Sequence, residues 1–326
     1  QVQEPNIQEV ADVEAVPVSE QNIVFKPNAG PQTDFLAAGE REVLYGGSAG
    51  GGKSYAMLAD PLRYMGHPSF SGLLLRHTTE ELRELIYKSK EIYPQIWKGI
   101  KWSERKMQWE APSGARLWMS YLDREDDVLR YQGLAFSWIG FDELTQWATP
   151  YAWNYMRSRL RSVASDLPVY MRATTNPGGP GHQWVKKMFI DPAPYGRQFD
   201  ATDIESGNIL SYPKGHTKSG QPLFKRRFIP ARLSDNPYLA ETGDYETMLL
   251  SLPEHQRKQL LEGDWDIKEG AAFTEFDRNI HVIEPFAIPR NWVKFRACDY
   301  GYGSYSGVLW FAVSPDEQII VYRELY

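Results

Sequence analysis

Residues 47–54 could bind the phosphates of a nucleotide, because they match the phosphate-loop pattern G-x-x-x-x-G-K-S/T at every fixed position. In that pattern backbone N–H groups surround the phosphates, the lysine contacts the outer phosphates, and the hydroxyl is a Mg²⁺ ligand. The residues assigned to nucleotide binding are Gly47, Ser48, Ala49, Gly50, Gly51, Gly52, Lys53 and Ser54. A flexible glycine-rich turn is the alternative, but it does not explain a Lys-Ser pair at the required offset. We therefore predict ATP and Mg²⁺ as cofactors, with Ser54 as a metal ligand.

Two adjacent acids, Asp142 and Glu143, follow an apolar stretch at residues 137–141. An ATPase needs carboxylates at a strand end beside the phosphates. Asp142 would hold Mg²⁺ through its water shell, and Glu143 would orient and deprotonate the attacking water. Alone, the pair could be a strand end with two solvated acids. Its position downstream of a phosphate loop favours catalysis.

Polar residues end the next predicted strand at Thr174, Thr175 and Asn176. Beside a terminal phosphate they could sense hydrolysis by exchanging hydrogen bonds, although Asn-Pro is also an ordinary turn dipeptide. Gln32 precedes the first predicted strand, and its amide offers both a donor and an acceptor to the edge of adenine. A surface glutamine without a special role is the alternative for Gln32.

Two arginines are candidates for stabilising charge that develops on the terminal phosphate. Arg130 lies shortly before the acidic strand and could be supplied to the nucleotide of a neighbouring subunit. Arg76 ends the predicted strand after the phosphate-loop helix and could act within its own subunit. Surface ion pairs of little energetic value are the alternative for both side chains.

A candidate ligand for a second metal site, Asp299, ends a predicted strand at residues 292–299. Two-metal nucleases begin their metal site with an acid in such a place, but they need several carboxylates. Only Asp299 is in a convincing position in this part of the chain. An acid that caps a turn at a strand end is the alternative.

Composition narrows the classes of protein that this chain could represent. Its 326 residues are 42% hydrophobic, which suits a globular protein, and no apolar run is long enough to predict a membrane span. The single cysteine, Cys298, fits a reducing compartment. The net charge of −6 argues against a protein that coats nucleic acid, so any DNA contact should be local. The candidate contact clusters are Lys186-Lys187 and Lys225-Arg226-Arg227.

The predicted elements place these residues on one edge of a sheet. We predict strands at 41–45, 72–76, 136–141 and 168–174, a hairpin over 101–122, and strands at 292–299, 306–313 and 318–324. Helices are predicted after the phosphate loop, over 79–93 and over 240–263, while 191–225 should be irregular. Alternating strands and helices imply an α/β fold with a mostly parallel sheet that is covered on both faces. Ligands of such sheets bind at the carboxyl ends of the strands.

The ordered set of motifs resembles the large terminase subunit of tailed bacteriophages. The matching residues are Pro31-Gln32, 47–54, Asp142-Glu143, Thr174 to Pro177, Leu233 to Pro237, Gly263 to Trp265 with Phe273, and Asp299 to Gly301. The resemblance spans roughly residues 30–326. It implies a P-loop (RecA/ASCE-like) ATPase domain, a small linker or lid subdomain, and the first strands of an RNase H-like nuclease. We expect an acidic, poorly ordered arm at 1–30, the ATPase at 31–235, the linker at 236–289 and a truncated nuclease at 290–326.

The resemblance also implies roles and partners. Gln32 would read adenine, Thr174 to Asn176 would couple hydrolysis to DNA movement, Arg130 would act in trans, and Asp299 would bind Mg²⁺ or Mn²⁺ in the full-length nuclease. The expected function is ATP-driven translocation of double-stranded viral DNA into a procapsid in the host cell cytoplasm. Expected partners are DNA, the portal protein, the small terminase subunit and further copies in a ring, with no membrane. We expect ATPase activity from this chain but no DNA cleavage.

Two other functions compete with the packaging motor. A DNA helicase or remodelling ATPase would normally pair two RecA-like lobes, whereas this sequence has one phosphate loop followed by a nuclease-like segment. A nucleotide-gated assembly protein without catalysis would leave Glu143 idle. The ATPase activity of a Glu143 variant discriminates the non-catalytic assembly protein from the packaging motor.

Overall fold

The computed structural model describes residues 24–267, 282–300 and 307–325. The chain divides into two compact units, Gln1–Glu269 and Gly270–Tyr326. Most of the predicted acidic arm lies outside the described residues, as do the linker residues 268–281. The four-part domain division therefore stays a prediction.

The first unit is built on a nine-stranded sheet, in the order β3-β4-β5-β2-β6-β7-β1-β9-β8. Its strands are β1 (Glu42–Gly47), β2 (Ser71–Arg76), β3 (Lys101–Ser103), β4 (Gln108–Glu110), β5 (Arg116–Tyr121), β6 (Trp138–Asp142), β7 (Tyr170–Thr175), β8 (Gln198–Asp200) and β9 (Lys225–Ala231). The neighbouring strands β5, β2, β6, β7, β1 and β9 are parallel to one another, and β3, β4 and β8 pair antiparallel at the two edges. The α/β class with a mostly parallel sheet is therefore confirmed.

Helices connect the strands and cover both faces of the sheet. They are α1 (Pro31–Ala37), α2 (Lys53–Ala59), α3 (Thr79–Ile96), α4 (Tyr151–Arg157), α5 (His182–Val185), α6 (Pro237–Ala240), α7 (Asp244–Leu250) and α8 (Glu254–Arg257). Short 3-10 helices occupy Asp60–Tyr64, Glu125–Tyr131, Leu144–Gln146 and Leu233–Asp235, and π-helical turns extend α5 over Lys186–Ile190 and α8 over Lys258–Glu262. The predicted helix at 240–263 is thus interrupted between α7 and α8.

Helix α3 begins where the sequence predicts but ends later. Thr78 and Glu81 form a capping box at its first turn, which satisfies backbone N–H groups that lack helical partners. The sequence predicts an end at Pro94, whereas the helix runs to Ile96. A proline this close to the end removes one N–H group from the ladder, and the Trp97 N–H still bonds to the Tyr93 carbonyl at 2.9 Å.

Apolar cores lie on both faces of the sheet. Because side chains alternate along a strand, Trp138 of β6 points into one core, while Ile139 and Phe141 point into the other. Helices α2 and α3 cover the first face through Met57, Leu58, Leu82 and Leu85. Helices α4 and α5 cover the second through Trp153, Met156 and Val185. The central strands β1, β6 and β7 are buried along their whole length, so their carboxyl ends are held rigidly.

Strand β9 corrects the sequence interpretation for Arg226, while DNA contact by Lys225 or Arg227 stays a prediction. The sequence makes these cations candidate DNA contacts, but they lie in a strand that pairs with β1. Arg226 is buried, and its Nε donates to the Glu42 carboxylate at 2.7 Å. Lys225 pairs with Asp200 at 2.7 Å, and Arg227 lies 4.0 Å from Glu40. Each cation therefore has an acidic partner within the fold.

The second unit contains an antiparallel sheet of three strands within its described residues. Its strands are β10 (Val293–Asp299), β11 (Gly307–Val313) and β12 (Ile319–Leu325), in that order, with a register shift between Trp310 and Phe311. Each lies within one residue of its predicted limits. No helix in the described part of the chain is long and apolar enough to cross a membrane.

A buried acid at the amino end of β1 generates a prediction on stability. Glu42 is fully buried between Arg226 and Arg157. Burial opposes its ionisation, but Arg157 and then Arg226 outweigh burial and lower the pKa of Glu42 from 4.5. We expect Glu42→Gln to lower the free energy of unfolding by about 3–5 kcal/mol at neutral pH, because buried Arg226 and partly buried Arg157 lose their counter-charge.

The sign of the pH dependence follows from the lowered pKa. Ionised Glu42 stabilises the fold above about pH 4.5, and this contribution is lost as the pH falls through the lower folded-state value. Denaturant unfolding from neutral pH down to about pH 3.5 should show a smaller acid-induced loss for Glu42→Gln than for wild type. Exposed Glu91 of α3 provides the control, and equal stability of Glu42→Gln and Glu91→Gln would contradict the assignment.

Candidate nucleotide-binding site

The phosphate loop joins the carboxyl end of β1 to the first turn of α2, which starts at Lys53. Gly50 and Gly52 have φ values of 77° and 76°, in the left-handed region that favours glycine. Gly47 has φ 145°, and a Cβ atom there would lie 2.2 Å from the Ala231 carbonyl oxygen. The glycines are therefore required by backbone conformation and by close approach to β9. Their backbone forms the concave connection that the motif predicts.

Side chains outside the loop hold its carbonyl groups. The hydrogen bonds are Gln32 Nε2 to Gly52 O at 2.9 Å, Tyr45 Oη to Gly51 O at 2.7 Å and Asn236 Nδ2 to Gly50 O at 2.7 Å. Because these three carbonyl groups accept hydrogen bonds from side chains outside the loop, their partial negative charge repels a bound anion less strongly. The loop thus combines fixed backbone with weakened repulsion, as phosphate binding requires.

Lys53 is buried at the start of α2, and its Nζ donates to the Ser48 carbonyl at 2.6 Å. Burial lowers the pKa of Lys53, whereas Glu143 and then Asp142 oppose that shift by favouring the cation. The structure therefore brings the loop lysine and the acid pair together, although Lys53 begins α2 and the acids lie at the end of β6. This proximity is the arrangement that their sequence motifs predict.

Asp142 ends β6 and is buried. Its Oδ1 accepts a hydrogen bond from the Thr174 hydroxyl, and its Oδ2 lies 3.3 Å from Arg76 Nε. Among the described residues, neither Oδ2 nor the Nε and Nη1 atoms of Arg76 has a hydrogen-bond partner of good geometry. Buried polar atoms of this kind normally find partners. The site therefore has capacity for a ligand that carries both a hydrated cation and anionic oxygens, which Mg·ATP would supply.

Glu143 follows in a left-handed conformation with φ 61° and ψ 57°. Such a backbone is uncommon for a residue other than glycine, and it turns the chain sharply after β6. Burial and then Asp142 raise the pKa of Glu143, with Lys53 and Arg76 acting in the opposite direction. Its Oε2 accepts hydrogen bonds from the Asn176 N–H at 3.2 Å and from the Thr175 hydroxyl at 3.4 Å. All three polar residues at the end of β7 thus contact the acid pair.

Two predicted nucleotide contacts have internal partners. Gln32 is buried, and its Oε1 accepts from the Asn28 N–H at 2.6 Å while its Nε2 holds the phosphate loop. Adenine recognition by Gln32 remains a prediction. Thr175 shares a 2.7 Å hydrogen bond with the Thr145 hydroxyl, which links the end of β7 to the turn after Glu143.

The two candidate arginines occupy different surroundings. Arg76 is largely buried against Asp142, so the structure places it in the site of its own chain. Arg130 lies in the 3-10 helix after β5 and its side chain is 48% exposed. Its guanidinium contacts the Asp127 carboxylate at 3.2 Å and the Tyr121 carbonyl at 3.0 Å. That exposure leaves Arg130 accessible to another molecule, and its role in trans remains a prediction.

Asp299 ends β10 and is exposed. It pairs with Gly307 of β11, across residues 301–306, which lie outside the described chain. No group of three or more candidate metal ligands occurs among the described residues. A nuclease metal site at Asp299 therefore stays a prediction.

Residues 258–265 also contact the phosphate loop, which the sequence interpretation missed. The Ala49 N–H donates to the Leu260 carbonyl at 2.7 Å. Gly263 has φ 65°, and a Cβ atom there would lie 2.6 Å from the Ser48 backbone nitrogen. Trp265 is buried under Gly46. The Gly-Asp-Trp sequence stands out as a motif, but only the fold shows that it packs on the loop.

Gln146 and Glu81 form a further contact that no motif predicted. Gln146 follows the acid pair, and its Nε2 donates to Glu81 Oε1 at 2.6 Å. Glu81 also takes part in the capping box of α3, the helix that follows Arg76 and β2. Helix α3 is thereby tied to the turn that carries Glu143.

Comparisons with known proteins agree with this fold. A family model described as the terminase large subunit, T4likevirus-type, N-terminal, matches residues 44–280. The large terminase of a thermophilic bacteriophage in crystal form 2 is 17% identical with a TM-score of 0.54, covering 91% of this chain and 69% of that chain. The complex of the same phage protein with ATP-gamma-S in crystal form 3 is 16% identical with a TM-score of 0.52, covering 91% and 68%.

At these identities the solved structures show a shared fold and no more. A search of curated proteins found no match. The family model, in contrast, spans well over half of the 326 residues. On that match, the chain belongs to the family of T4likevirus-type large terminase subunits.

Proposed function

We propose that this chain hydrolyses Mg·ATP at the carboxyl ends of β1, β6 and β7 and uses the reaction to move double-stranded DNA into a procapsid. The observation that carries the ATPase is the juxtaposition of Lys53 with Asp142 and Glu143 beside a glycine loop. Family membership supports the motor. The solved relative binds ATP-gamma-S in the structure compared above, which supports ATP as the nucleotide.

The residues around the loop fit the parts of a phosphoryl-transfer site. Lys53 would contact the outer phosphates, and Ser54 and Asp142 would hold Mg²⁺. The metal would neutralise charge that develops on the transferred phosphoryl group. Arg76, now paired with Asp142, would supply a second positive charge within the same chain.

Glu143 would accept the proton of the attacking water. Its raised pKa makes it a stronger base than an ordinary glutamate, and the Asn176 N–H fixes one carboxylate oxygen. Thr175 and Asn176 touch both Glu143 and the Thr145 turn, so a change in the carboxylate would be transmitted to β7. This connection is the proposed start of coupling between hydrolysis and movement.

The assembled motor requires partners beyond this chain. We place it in the host cell cytoplasm, in a homo-oligomeric ring on the procapsid with the portal protein and the small terminase subunit. Arg130 would reach the nucleotide of the neighbouring subunit, because it is exposed and already presented by a short helix. The second unit would begin an RNase H-like nuclease in which Asp299 binds Mg²⁺ or Mn²⁺.

Replacing Glu143 by Gln tests catalysis directly. Glutamine keeps the size and an acceptor for the Asn176 N–H but removes the base. We expect kcat for ATP hydrolysis to fall about 10²–10⁴-fold, with a calorimetric Kd for Mg·ATP-gamma-S within about threefold of wild type because binding needs no base. Equal hydrolysis rates for Glu143→Gln and wild type would contradict the assignment of Glu143, and no hydrolysis by either protein would favour an assembly protein without catalysis.

Replacing Gly263 by Ala tests the packing of residues 258–265 on the loop. The new Cβ would press on Ser48 and distort the loop, so we expect Kd for Mg·ATP-gamma-S to rise roughly tenfold, or about 1.4 kcal/mol. Gly243→Ala is the matched control: Gly243 has φ 67°, close to 65° for Gly263, but no described atom lies within 4 Å of its added Cβ. Equal Kd values for the two variants would refute the contact.

Subunit mixing tests Arg130. Arg130→Ala subunits lack the proposed trans group, and Glu143→Gln subunits lack the base but retain Arg130. In mixed assemblies with DNA we expect ATP turnover above the sum of the two separate preparations, because each type supplies what the other lacks. Turnover equal to that sum, with ring assembly intact by light scattering, would show that Arg130 does not act across an interface.

A further inference from the structure

His182 is a buried histidine at the start of α5 whose ring joins two parts of the candidate site. Its Nδ1 accepts a hydrogen bond from the Gly178 N–H at 2.8 Å. Its Nε2 lies 3.2 Å from the Trp265 carbonyl oxygen. Because Nδ1 is an acceptor, Nε2 carries the proton and donates to Trp265. The two contacts define one neutral tautomer.

The two partners of His182 lead to two different parts of the nucleotide site. Gly178 closes the turn after Asn176, and the Asn176 N–H holds the Glu143 carboxylate. Trp265 ends the segment whose Leu260 carbonyl accepts from Ala49 of the phosphate loop. His182 therefore connects the turn that positions the base with the segment that supports the phosphate loop.

Packing alone does not explain an imidazole at this position. The ring stacks on the Trp265 indole with centroids 5.3 Å apart and planes inclined by 17°. A phenyl ring could make the same stack without the cost of burying polar atoms. Among the described residues, the imidazole differs from phenyl by its hydrogen bonds to Gly178 and Trp265. Those bonds fix the distance and orientation between the Gly178 turn and Trp265.

We propose that His182 is a positioning residue that couples the phosphate loop to Glu143 through residues 260–265 on one side and residues 176–178 on the other. When nucleotide binding orders the phosphate loop, the turn at residues 176–178 would also become ordered. That turn would then hold the Glu143 carboxylate in position to accept a proton from the attacking water. This inference rests on the proposed ATP hydrolysis for its kinetic consequence, but the coupling itself can be measured with nucleotide binding alone.

The kinetic test compares two stacked histidines in the 326-residue chain. His182→Phe keeps the ring and removes both hydrogen bonds. His216→Phe is the matched control, because His216 is exposed, stacks on Tyr212 at 4.5 Å, and also accepts a backbone N–H at Nδ1. We expect His182→Phe to lower kcat roughly tenfold with Kd for Mg·ATP-gamma-S within about threefold, and His216→Phe to leave both unchanged.

Two outcomes of that comparison would overturn the inference. One is a kcat for His182→Phe within twofold of the wild-type value, with both values divided by the number of ATP-gamma-S sites. That result would show that His182 has only a structural role. The other is full recovery of kcat in His182→Asn. Asparagine can replace the acceptor for Gly178 but does not reach Trp265, so recovery would show that the turn alone matters.

A second measurement separates this inference from the proposed function. Hydrogen exchange with Mg·ATP-gamma-S should protect both residues 47–54 and residues 176–178 in wild type. In His182→Phe we expect protection of the loop but not of the turn. Equal protection of the turn in both proteins, or its absence in wild type although the loop is protected, would refute the coupling even if no hydrolysis were detected. Absent hydrolysis with intact coupling would count against the ATPase alone.

Discussion

Compensation of buried charge at the carboxyl edge of the parallel sheet is the constraint on which the site depends. Lys53 and Asp142 are both buried, and isolated charges in such surroundings are strongly destabilising. Lys53 is stabilised as a cation by Glu143 and Asp142, and Asp142 is balanced by Arg76 and Thr174. A bound triphosphate with its metal could exchange for these partners without leaving any charge alone. The resting protein thus holds its binding groups in place by pairing them with one another.

The chain that follows β9 forms the second layer of the site. Asn236, Leu260 and Gly263 each contact the phosphate loop, and Trp265 fills the space beneath Gly46. The loop is therefore held in place by contacts from α1 and from residues 236–265. Gln32 makes the corresponding contact from α1. A motion of either support would therefore change the loop.

Much of this site could be predicted because its parts are local. The strand, loop and helix at 42–59, the acids after β6 and the polar end of β7 follow from patterns over a few residues. The burial of Arg226 in strand β9 could not be predicted in the same way. The Lys-Arg-Arg start of that strand suggests solvated charge, and the acid that neutralises Arg226 lies 184 residues earlier in the chain. The contacts of Gln146 with Glu81 and of His182 with Trp265 likewise join segments 65 and 83 residues apart.

The sequence by itself determined which chemistry is available: a glycine loop with a lysine and serine, two acids, and strands of the right length to carry them. These features depend on backbone conformations that residues choose locally, such as positive φ at glycine. Tertiary structure alone decided which groups compensate one another, because strand order sets which carboxyl ends become neighbours and local sequence does not encode that order. The pairing of Arg76 with Asp142 and the burial of Arg226 are consequences of that order, and the bridge through His182 depends on the packing of α5 against Trp265.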